Sequence, residues 1–312
     1  MTEKKVLGLF PGQGSQQVGM GKDFVEALPL AKDLFDVADK ALGFSLSEIC
    51  FDGPIEKLTA TQFVQPAILT VSTICYRAFL GAHPDLQVVA AAGHSLGEYS
   101  ALVAAEALTF EEAVQLVHKR GRYMQEAVAV GEGKMVAVLG KELAEIDDAL
   151  AKVTVGSCVQ IANINAPGQV VVSGVQDAVN EFLEILGAAK TVVLAVSAPF
   201  HCDLMEPAAQ ELAKDLDKTT ISKAKFPIYC NVTGKAVSQP EEIREALKKQ
   251  VCGSVRWVEC MENALSDVAP QEAIEFGAGS VLCNLLKRIN KEVPRYNVGS
   301  FDALVPPTTL EA

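Results

Sequence analysis

Residues 93–100 read Gly-His-Ser-Leu-Gly-Glu-Tyr-Ser and contain a Gly-x-Ser-x-Gly motif centred on Ser95. The residues just before it, 88–92, form a short apolar run of the kind that makes a buried strand. The residues after it, 96–107, are compatible with a helix. Strand, sharp turn and helix in this order predict a nucleophile elbow, in which the serine hydroxyl projects beyond the strand end. We therefore predict that Ser95 is a nucleophile, against the alternative that two glycines and a serine only form a turn.

The overall composition is that of a well-packed globular protein. The chain has 312 residues, of which 49% are hydrophobic and 21% charged, and its net charge is −12. The negative charge makes nucleic acids and anionic membranes poor partners. The eight cysteines are scattered without a Cys-x-x-Cys pair, which predicts reduced thiols in a cytoplasmic protein and no metal site. The N-terminal apolar run, 6–10, is too short for a signal peptide, and we identify no stretch approaching the ~18 apolar residues of a membrane span.

The flanking sequence alternates strands and helices. A predicted strand, 6–10, leads into a glycine-rich loop, 11–16, at the end of a strand, where open α/β sheets place their ligands. Pro66 is predicted to open a helix that reaches about residue 80. Thr109, with Glu112 three residues later, forms a capping box that predicts a long helix to about residue 128.

The pattern changes at residue 131 to shorter elements. Strands are predicted at 134–139, 158–162, 169–173 and 191–196, and helices at 142–151 and 177–186. The order βαββαβ is the ferredoxin-like pattern. After residue 198 the α/β texture returns, with strands at 227–231 and 272–276 and helices from 205, 240, 257 and 280. The predicted fold is α/β: a large α/β-hydrolase-like domain, 1–130 and 198–312, with an inserted ferredoxin-like α+β subdomain, 131–197.

A nucleophilic serine needs a base, and the chain has four histidines. His83 precedes a proline, His94 adjoins the serine inside the turn, and His118 is on the helix after the capping box. His201 lies in a loop at the domain junction, where functional sites concentrate, so we favour it as the base. The acids between Ser95 and His201 fall in or before small-domain helices, which favours a Ser-His dyad steered by something other than a carboxylate. Activity should then fall as pH drops through a histidine pKa near 6.5.

Arg120 is the second informative residue. With Ala113, Val117 and Met124 it shares one face of the helix that follows Thr109. An arginine in an apolar stripe is costly unless it is paired. Its partner is either a core carboxylate, in a structural ion pair, or a substrate carboxylate, which a guanidinium grips with two hydrogen bonds. The sequence leaves both alternatives open.

Three further polar residues have less specific signals. Asn163 and Asn165 end a small-domain strand at a turn, and they either form that turn or line the site. Glu98 follows the elbow and is predicted to be an acid at the start of a helix, near the positive end of the dipole, and not a catalyst.

Five motifs together resemble the malonyl-CoA:acyl carrier protein transacylase family and occur in that family's order from about residue 6 to about 290. They are Pro-Gly-Gln-Gly-Ser-Gln (11–16), Gly-His-Ser-Leu-Gly-Glu-Tyr (93–99), Lys-Arg-Gly (119–121), Asn-x-Asn-x-Pro-Gly-Gln (163–169) and Pro-Phe-His (199–201). The resemblance implies Ser95 as nucleophile and His201 as base. It also implies that the backbone amides of Gln13 and Leu96 form the oxyanion hole, and that Arg120 binds the malonyl carboxylate.

The resemblance extends to residues around these. A backbone carbonyl near a glutamine orients the histidine in this family, and Gln250 matches that position. Asn163 and Asn165 are implied to bind substrate, and Phe200 looks like the malonyl-selecting form of its motif. One departure is Ala278, in a Gly-Ala-Gly turn where the family usually has Gly-Pro-Gly; it removes no reacting group.

The implied activity is transfer of a malonyl group from malonyl-CoA to the phosphopantetheine thiol of acyl carrier protein, through a malonyl-serine intermediate, for fatty acid elongation. The implied enzyme is a cytoplasmic monomer without cofactor or metal, whose partners are malonyl-CoA and the carrier protein. Two other classes compete. A serine hydrolase would need a carboxylate partner and no buried arginine, and a non-catalytic binding protein would keep Arg120 but need neither Ser95 nor His201.

Overall fold

The computed structural model describes residues 4–129, 131–155, 158–196 and 198–305. The strands are β1 (Lys4–Phe10), β2 (Leu86–Gly93), β3 (Gly133–Leu139), β4 (Val159–Ala166), β5 (Gln169–Val175), β6 (Lys190–Val193), β7 (Ile228–Tyr229), β8 (Ala236–Val237), β9 (Glu272–Phe276) and β10 (Arg295–Val298). The first seven helices are α1 (Lys22–Ala27), α2 (Pro29–Leu42), α3 (Leu46–Asp52), α4 (Ile55–Thr59), α5 (Thr61–Ala82), α6 (Gly97–Ala104) and α7 (Phe110–Glu126). The others are α8 (Leu143–Leu150), α9 (Gln176–Leu186), α10 (Glu206–Leu216), α11 (Pro240–Gln250), α12 (Trp257–Val268) and α13 (Val281–Ile289), with 3₁₀ turns at Asp203–Met205 and Phe301–Leu304.

The larger sheet is a mixed sheet with a parallel core, in the order β10-β9-β1-β2-β7-β8. Every neighbouring pair is parallel except β7 and β8. Successive side chains of a strand point to opposite faces, so Leu7 and Leu9 of β1 pack with Trp257 of α12, whereas Val6 and Phe10 pack into the main core on the other face. Helices therefore cover both faces, as parallel sheets require. The parallel pairing of Phe10 with Gly93 places the carboxyl ends of β1 and β2 side by side.

The smaller sheet contains β4-β5-β3-β6 in that order, and all its pairs are antiparallel. Its elements follow the predicted order of strand and helix. Ile146 of α8 and Phe182 of α9 pack against Val138, Val170 and Val172 of the sheet to form a separate small core. The chain leaves this sheet after β6 and reaches His201 within eight residues, at the edge of the larger unit.

Helix α5 corrects two predictions. It begins at Thr61, not at Pro66, which lies inside it. Proline has no N–H to donate to the carbonyl of Gln62, one turn earlier, and His118 Nδ1 makes a hydrogen bond to that oxygen at 2.8 Å instead. With 22 residues, α5 is also long and apolar enough, by length and composition, to cross a membrane. The prediction that no stretch approaches the length of a membrane span was therefore wrong. However, 78% of its most apolar window is buried inside the protein, so it is a core helix.

Other boundaries differ by a few residues. Strand β4 continues to Ala166 instead of ending at 162, because its pairing with β5 resumes after irregularities in register. Asn163 and Asn165 therefore lie within a strand and not in a turn. Strand β6 ends at Val193, three residues before the predicted end. The N-terminal helices α1 to α4 and the strands β8 and β10 were not predicted from the sequence.

The helix start at Thr109 was predicted correctly, but its contact with Glu112 is not a full capping box, because the Glu112 carboxylate accepts a hydrogen bond from the Thr109 hydroxyl instead of the Thr109 amide. Thr109 is the N-cap of α7, and its Oγ accepts a hydrogen bond from the Glu112 amide at 3.3 Å. The predicted apolar face is buried, and Arg120 on it is 1% exposed. Helix α7 packs against α5 and α10 and carries this arginine beneath the carboxyl end of β2.

Candidate active site

The turn between β2 and α6 forms an elbow centred on Ser95. Ser95 has a φ of 50°, a left-handed conformation that L-residues adopt rarely. A Cβ on Gly93 would lie 1.9 Å from the carbonyl carbon of Gly97, and a Cβ on Gly97 would lie 1.9 Å from the Phe10 oxygen. Only glycine fits at either position. Leu96 is the N-cap of α6 and not its first residue, one position from the prediction.

Gly97→Ala is expected to destabilise the fold by about 1–3 kcal/mol, the usual range for overpacking a tight site. The Phe10 carbonyl that the methyl group would strike belongs to the central strand and cannot move freely. Gly81→Ala is the matched control, because its Cβ meets nothing within 4 Å at the end of α5. Thermal or urea unfolding measures both variants, and equal stabilities would contradict the steric argument.

Asn231 makes hydrogen bonds to the backbone on both sides of the elbow, and no role was predicted for it from the sequence. Its Oδ1 accepts a hydrogen bond from the Ser95 amide at 2.7 Å, and its Nδ2 donates to the Gly93 carbonyl at 2.8 Å. Asn231 follows β7, the parallel neighbour of β2. Its position as the last residue of the predicted strand 227–231 was the signal available in the sequence, but the sequence did not show that this strand pairs with β2.

His201 lies against the serine. Its Nε2 is 2.8 Å from Ser95 Oγ, and its Nδ1 is 3.0 Å from the carbonyl oxygen of Gln250 and 3.1 Å from that of Gly253. Because Nδ1 faces two acceptors, it carries the ring proton, which leaves Nε2 free to accept the serine proton. Backbone carbonyls thus occupy the place that a carboxylate has in a triad.

Burial, and after it the nearby charge of Arg120, lowers the pKa of His201 to about 3. Both effects disfavour a charged imidazolium. The histidine is therefore neutral, and able to accept a proton, far below the pH near 6.5 that the sequence led us to expect.

Arg120 reaches the same place from α7. Its Nη1 donates to Gln65 Oε1 at 2.8 Å, and its Nη2 donates to Ser95 Oγ and to Gln250 Oε1, both at 3.0 Å. Within the described ranges, no carboxylate forms an ion pair with this guanidinium, and its Nε has no hydrogen-bond partner. The alternative of a directly contacting structural ion pair is thus not observed.

A cavity of about 290 Å³ joins these groups. It is lined by Gln13, Gly14, Gln16, Thr59, Gln65, His94, Ser95, Leu96, Arg120, Met124, Met135, Asn163, Leu194, Ala195, Val196, Phe200 and His201. Of the candidate residues from the sequence, only Asn165 and Gln250 are outside this lining. Asn165 instead lies behind it, with its Oδ1 2.8 Å from Nε2 of His94.

Gln13 and Leu96, which the resemblance implied as oxyanion donors, both line the cavity. In the part of the chain that the structure describes, neither backbone amide donates to a protein acceptor. Leu96 is at the N-terminus of α6, where the helix dipole adds partial positive charge. Two unengaged amides beside a nucleophile are the donors that an oxyanion requires.

Glu98 lies at the start of a helix as predicted, but its burial was not predicted. It is in the first turn of α6 but is only 2% exposed. Its Oε2 accepts hydrogen bonds from the Asn231 amide and from Gln250 Nε2, both at 2.9 Å. Burial raises the pKa of Glu98 to about 7, despite these bonds and the field of Arg120. It is the predicted acid at the start of a helix, and it is in addition a buried carboxyl behind the site.

The remaining histidines and the cysteines contact other parts of the protein. The imidazoles of His83 and His118 make hydrogen bonds to the backbone carbonyls of Leu304 and Gln62. All eight cysteines are free thiols. Among the residues described, no group of three or more histidine, cysteine or acidic side chains is arranged to hold a metal ion.

A serine and a neutral histidine at a cavity with unengaged amides are equipped to form and break an acyl ester. The family model for the acyl transferase domain matches residues 9–305, so the chain belongs to the acyl transferase family. Malonyl CoA-acyl carrier protein transacylase from Bacillus subtilis is 44% identical over 98% of this chain and 95% of its own length. Within the acyl transferases, the chain is a member of the malonyl CoA-acyl carrier protein transacylases.

Solved structures agree with this assignment. The structure of the malonyl CoA-acyl carrier protein transacylase from Coxiella burnetii has a TM-score of 0.93 and 39% identity, with 97% of both chains covered. A malonyl-transacylase solved in complex with its type II polyketide synthase acyl-carrier protein has a TM-score of 0.92 and 38% identity, covering 96% of this chain and 97% of that one.

Proposed function

We propose that this chain is an acyltransferase that moves a malonyl group from malonyl-CoA to the phosphopantetheine thiol of acyl carrier protein, and so supplies fatty acid elongation. The observation that carries the proposal is the 2.8 Å contact between Ser95 Oγ and His201 Nε2, beside a buried Arg120. The relatives named for this reaction, one of them solved with a carrier protein, support the same partners.

The first half-reaction forms a malonyl-serine ester. His201 Nε2 accepts the proton of Ser95 as the hydroxyl oxygen attacks the thioester carbonyl. The amides of Gln13 and Leu96 donate to the oxyanion, which collapses as the coenzyme A thiol leaves with the proton from His201. In the second half-reaction the carrier thiol gives its proton to His201 and attacks the ester, which regenerates the serine.

Arg120 selects the acyl group in this proposal. The malonyl carboxylate takes the Nη groups that contact Gln65, Gln250 and Ser95 in the structure. A guanidinium in a dry site binds a carboxylate strongly because little water competes for either group. Phe200 and Asn163 limit the space around the acyl chain, and the Gln250 carbonyl keeps His201 in its reactive tautomer.

The intact mass of the protein after mixing with malonyl-CoA tests the proposal. A transferase accumulates one malonyl group per chain and loses it on addition of holo acyl carrier protein. A hydrolase would release free malonate without a carrier, and a non-catalytic binding protein would show no change in mass. Either of these last two results would overturn the proposal.

The pH profile of kcat/KM is expected to stay flat on its acid side from about pH 7 to about pH 5. A base works only when it is deprotonated, and the buried position of His201 lowers its pKa to about 3, which moves the loss of activity to lower pH. Initial rates in buffers of constant ionic strength, with circular dichroism to verify folding, measure this. A decline centred near 6.5, the value of an unperturbed histidine, would contradict it.

Arg120→Ala is expected to lower malonyl transfer by tens- to thousands-fold, which corresponds to the ~2–5 kcal/mol for removing one member of a buried charge pair. Acetyl transfer, which needs no guanidinium, should hold or rise. Arg120→Lys should recover part of the activity, since lysine has charge but no fork. The exposed Arg122 of the same helix supplies the control Arg122→Ala. Equal losses of kcat/KM for malonyl-CoA and acetyl-CoA would make Arg120 structural.

For the architecture, we infer a large α/β-hydrolase-like domain, residues 1–130 and 198–312, and an inserted ferredoxin-like subdomain, residues 131–197. The antiparallel order β4-β5-β3-β6 and the separate small core support this division. A cytoplasmic location fits eight free thiols. The resemblance implies a monomer without cofactor, and light scattering of the purified protein tests the oligomeric state.

A further inference from the structure

A carboxamide connects the two buried charges of the site. Arg120 Nη2 donates to Gln250 Oε1 at 3.0 Å, and Gln250 Nε2 donates to Glu98 Oε2 at 2.9 Å. This orientation of the amide follows from chemistry, because a guanidinium only donates and a carboxylate only accepts. The amide dipole thus points its oxygen at the cation and its N–H at the anion. Glu98 and Arg120 therefore form an ion pair separated by one side chain.

The other groups that face Glu98 do not share this charge. Burial raises the pKa values of the thiols of Cys230, after β7, and of Cys260, on α12, so both thiols are neutral. Tyr99, the neighbour on the same helix, has its pKa raised to about 12 by burial and is neutral as well. Among these groups, Arg120 is the one permanent charge whose field reaches Glu98.

The buried charges cancel only while the site is empty. Without an acyl group, Arg120 and an ionised Glu98 sum to zero. A malonyl carboxylate on Arg120 brings a second negative charge into the same dry region, and an uncompensated buried charge is costly. A proton on Glu98 restores neutrality. Burial raises the pKa of Glu98 to about 7, so this carboxyl can accept a proton near neutral pH.

Resting on the proposed function, we propose that Glu98 is the counter-charge of Arg120 in the empty site, and that it takes up a proton from solvent when the malonyl carboxylate binds the guanidinium. The proton converts the Glu98 carboxylate to the acid and returns to solvent when the malonyl group leaves on the carrier. Glu98 is thus a positioning residue for the selectivity of the site. It makes the affinity for malonyl groups depend on pH, whereas an acetyl group brings no charge to Arg120 and causes no proton uptake.

The sign of the dependence follows from linkage. Binding that takes up a proton weakens as pH rises through the free-site pKa of the group, by up to about tenfold per pH unit. With Glu98 near 7, the uptake should approach roughly half a proton at about pH 7 and a larger fraction at about pH 8. Below that range the carboxyl is already protonated, and affinity should level off.

Calorimetric titration of Ser95→Ala protein tests this, because malonyl-CoA then binds without forming an ester. Titrations in two buffers of different ionisation enthalpy give the number of protons taken up. Malonyl-CoA should bind with the proton uptake given in the previous paragraph. Acetyl-CoA should bind with a smaller proton uptake, and the difference should equal the fraction of a proton taken up by Glu98. Acetyl-CoA carries the same phosphates and adenine, so their titration cancels in the difference.

Two further variants complete the test in the same background. Glu98→Gln should remove the difference in proton uptake and bind malonyl-CoA about tenfold more tightly than the Glu98 protein at about pH 8. Glu275→Gln is the matched control. Glu275 is also a buried carboxyl, but it accepts the amides of Leu282 and Cys283 at the start of α13, so this variant should behave like the parent.

Equal uptake for malonyl-CoA and acetyl-CoA between about pH 6 and 8 would overturn the proposal, as would unchanged uptake in Glu98→Gln. The first of these results needs no substitution at Glu98, so it holds even if Glu98→Gln does not fold. Formation of a malonyl ester on the wild-type protein, read by mass, decides the proposed function independently of either result.

Discussion

Replacing Ser95 with alanine is expected to abolish formation of the malonyl ester and to lower transfer by roughly 10⁴-fold or more, as removal of a catalytic nucleophile does. Among the described residues, the hydroxyl that His201 Nε2 contacts is that of Ser95, so we expect no second residue to take over the covalent step. Malonyl-CoA should still bind, because Arg120 and the amides of Gln13 and Leu96 remain. Intact mass after exposure to malonyl-CoA and the steady-state rate with holo acyl carrier protein measure the two effects.

Ser100→Ala is the matched control for this variant. Ser100 lies on α6, is buried, and its hydroxyl has no hydrogen-bond partner among the described residues. Its loss should leave both acylation and transfer intact. Stability of Ser95→Ala should change little, since alanine places no larger group at this left-handed position. A Ser95→Ala protein that still gained a malonyl mass would place the nucleophile elsewhere.

His201→Ala is expected to lower kcat by about 10²- to 10⁴-fold in both half-reactions, the usual contribution of a positioned acid and base. In the proposed mechanism the same imidazole removes the proton from Ser95 and later from the carrier thiol, so both half-reactions should slow. KM should change less, because Arg120 and the oxyanion donors are untouched. Stopped-flow acylation and single-turnover transfer to the carrier separate the two steps.

His83→Ala serves as the control, because His83 makes a hydrogen bond to the Leu304 carbonyl and does not line the cavity. Added imidazole should restore part of the rate to His201→Ala, since the deletion leaves a space of matching shape beside Ser95. A loss confined to one half-reaction would contradict the shared role.

The sequence alone determined the features that depend on neighbouring residues. The glycines at 93 and 97 and the apolar run before them fixed the elbow, because its geometry tolerates no Cβ at either position. The N-cap residue Thr109 and the spacing of apolar residues in α7 determined the buried face that carries Arg120. The order of strands and helices from residue 131 onwards could be predicted for the same reason, since the alternation of apolar and polar residues and the turn residues are local signals.

The predicted ends of strands and helices were wrong where contacts between distant residues decided them. Strand β4 extends to Ala166 because β5 pairs with it and residue 163 bridges to Val255, far along the chain. Helix α5 passes through Pro66, and His118, which is 56 residues from Gln62 in sequence, makes a hydrogen bond to the Gln62 carbonyl that the proline leaves unpaired. Local propensity cannot report either contact.

Tertiary structure alone decided the electrostatics of the site. Gln250 meets the Ser95 carbonyl across 155 residues and Glu98 across 152, and Asn231 reaches the Ser95 amide across 136. Burial, with the charge of Arg120 acting in the same direction, lowers the pKa of His201 to about 3. Burial also raises the pKa of Glu98 to about 7, against the hydrogen bonds from Asn231 and Gln250. A sequence specifies which groups can ionise, but the cost of charging them depends on how much water and which opposite charge the fold leaves beside them.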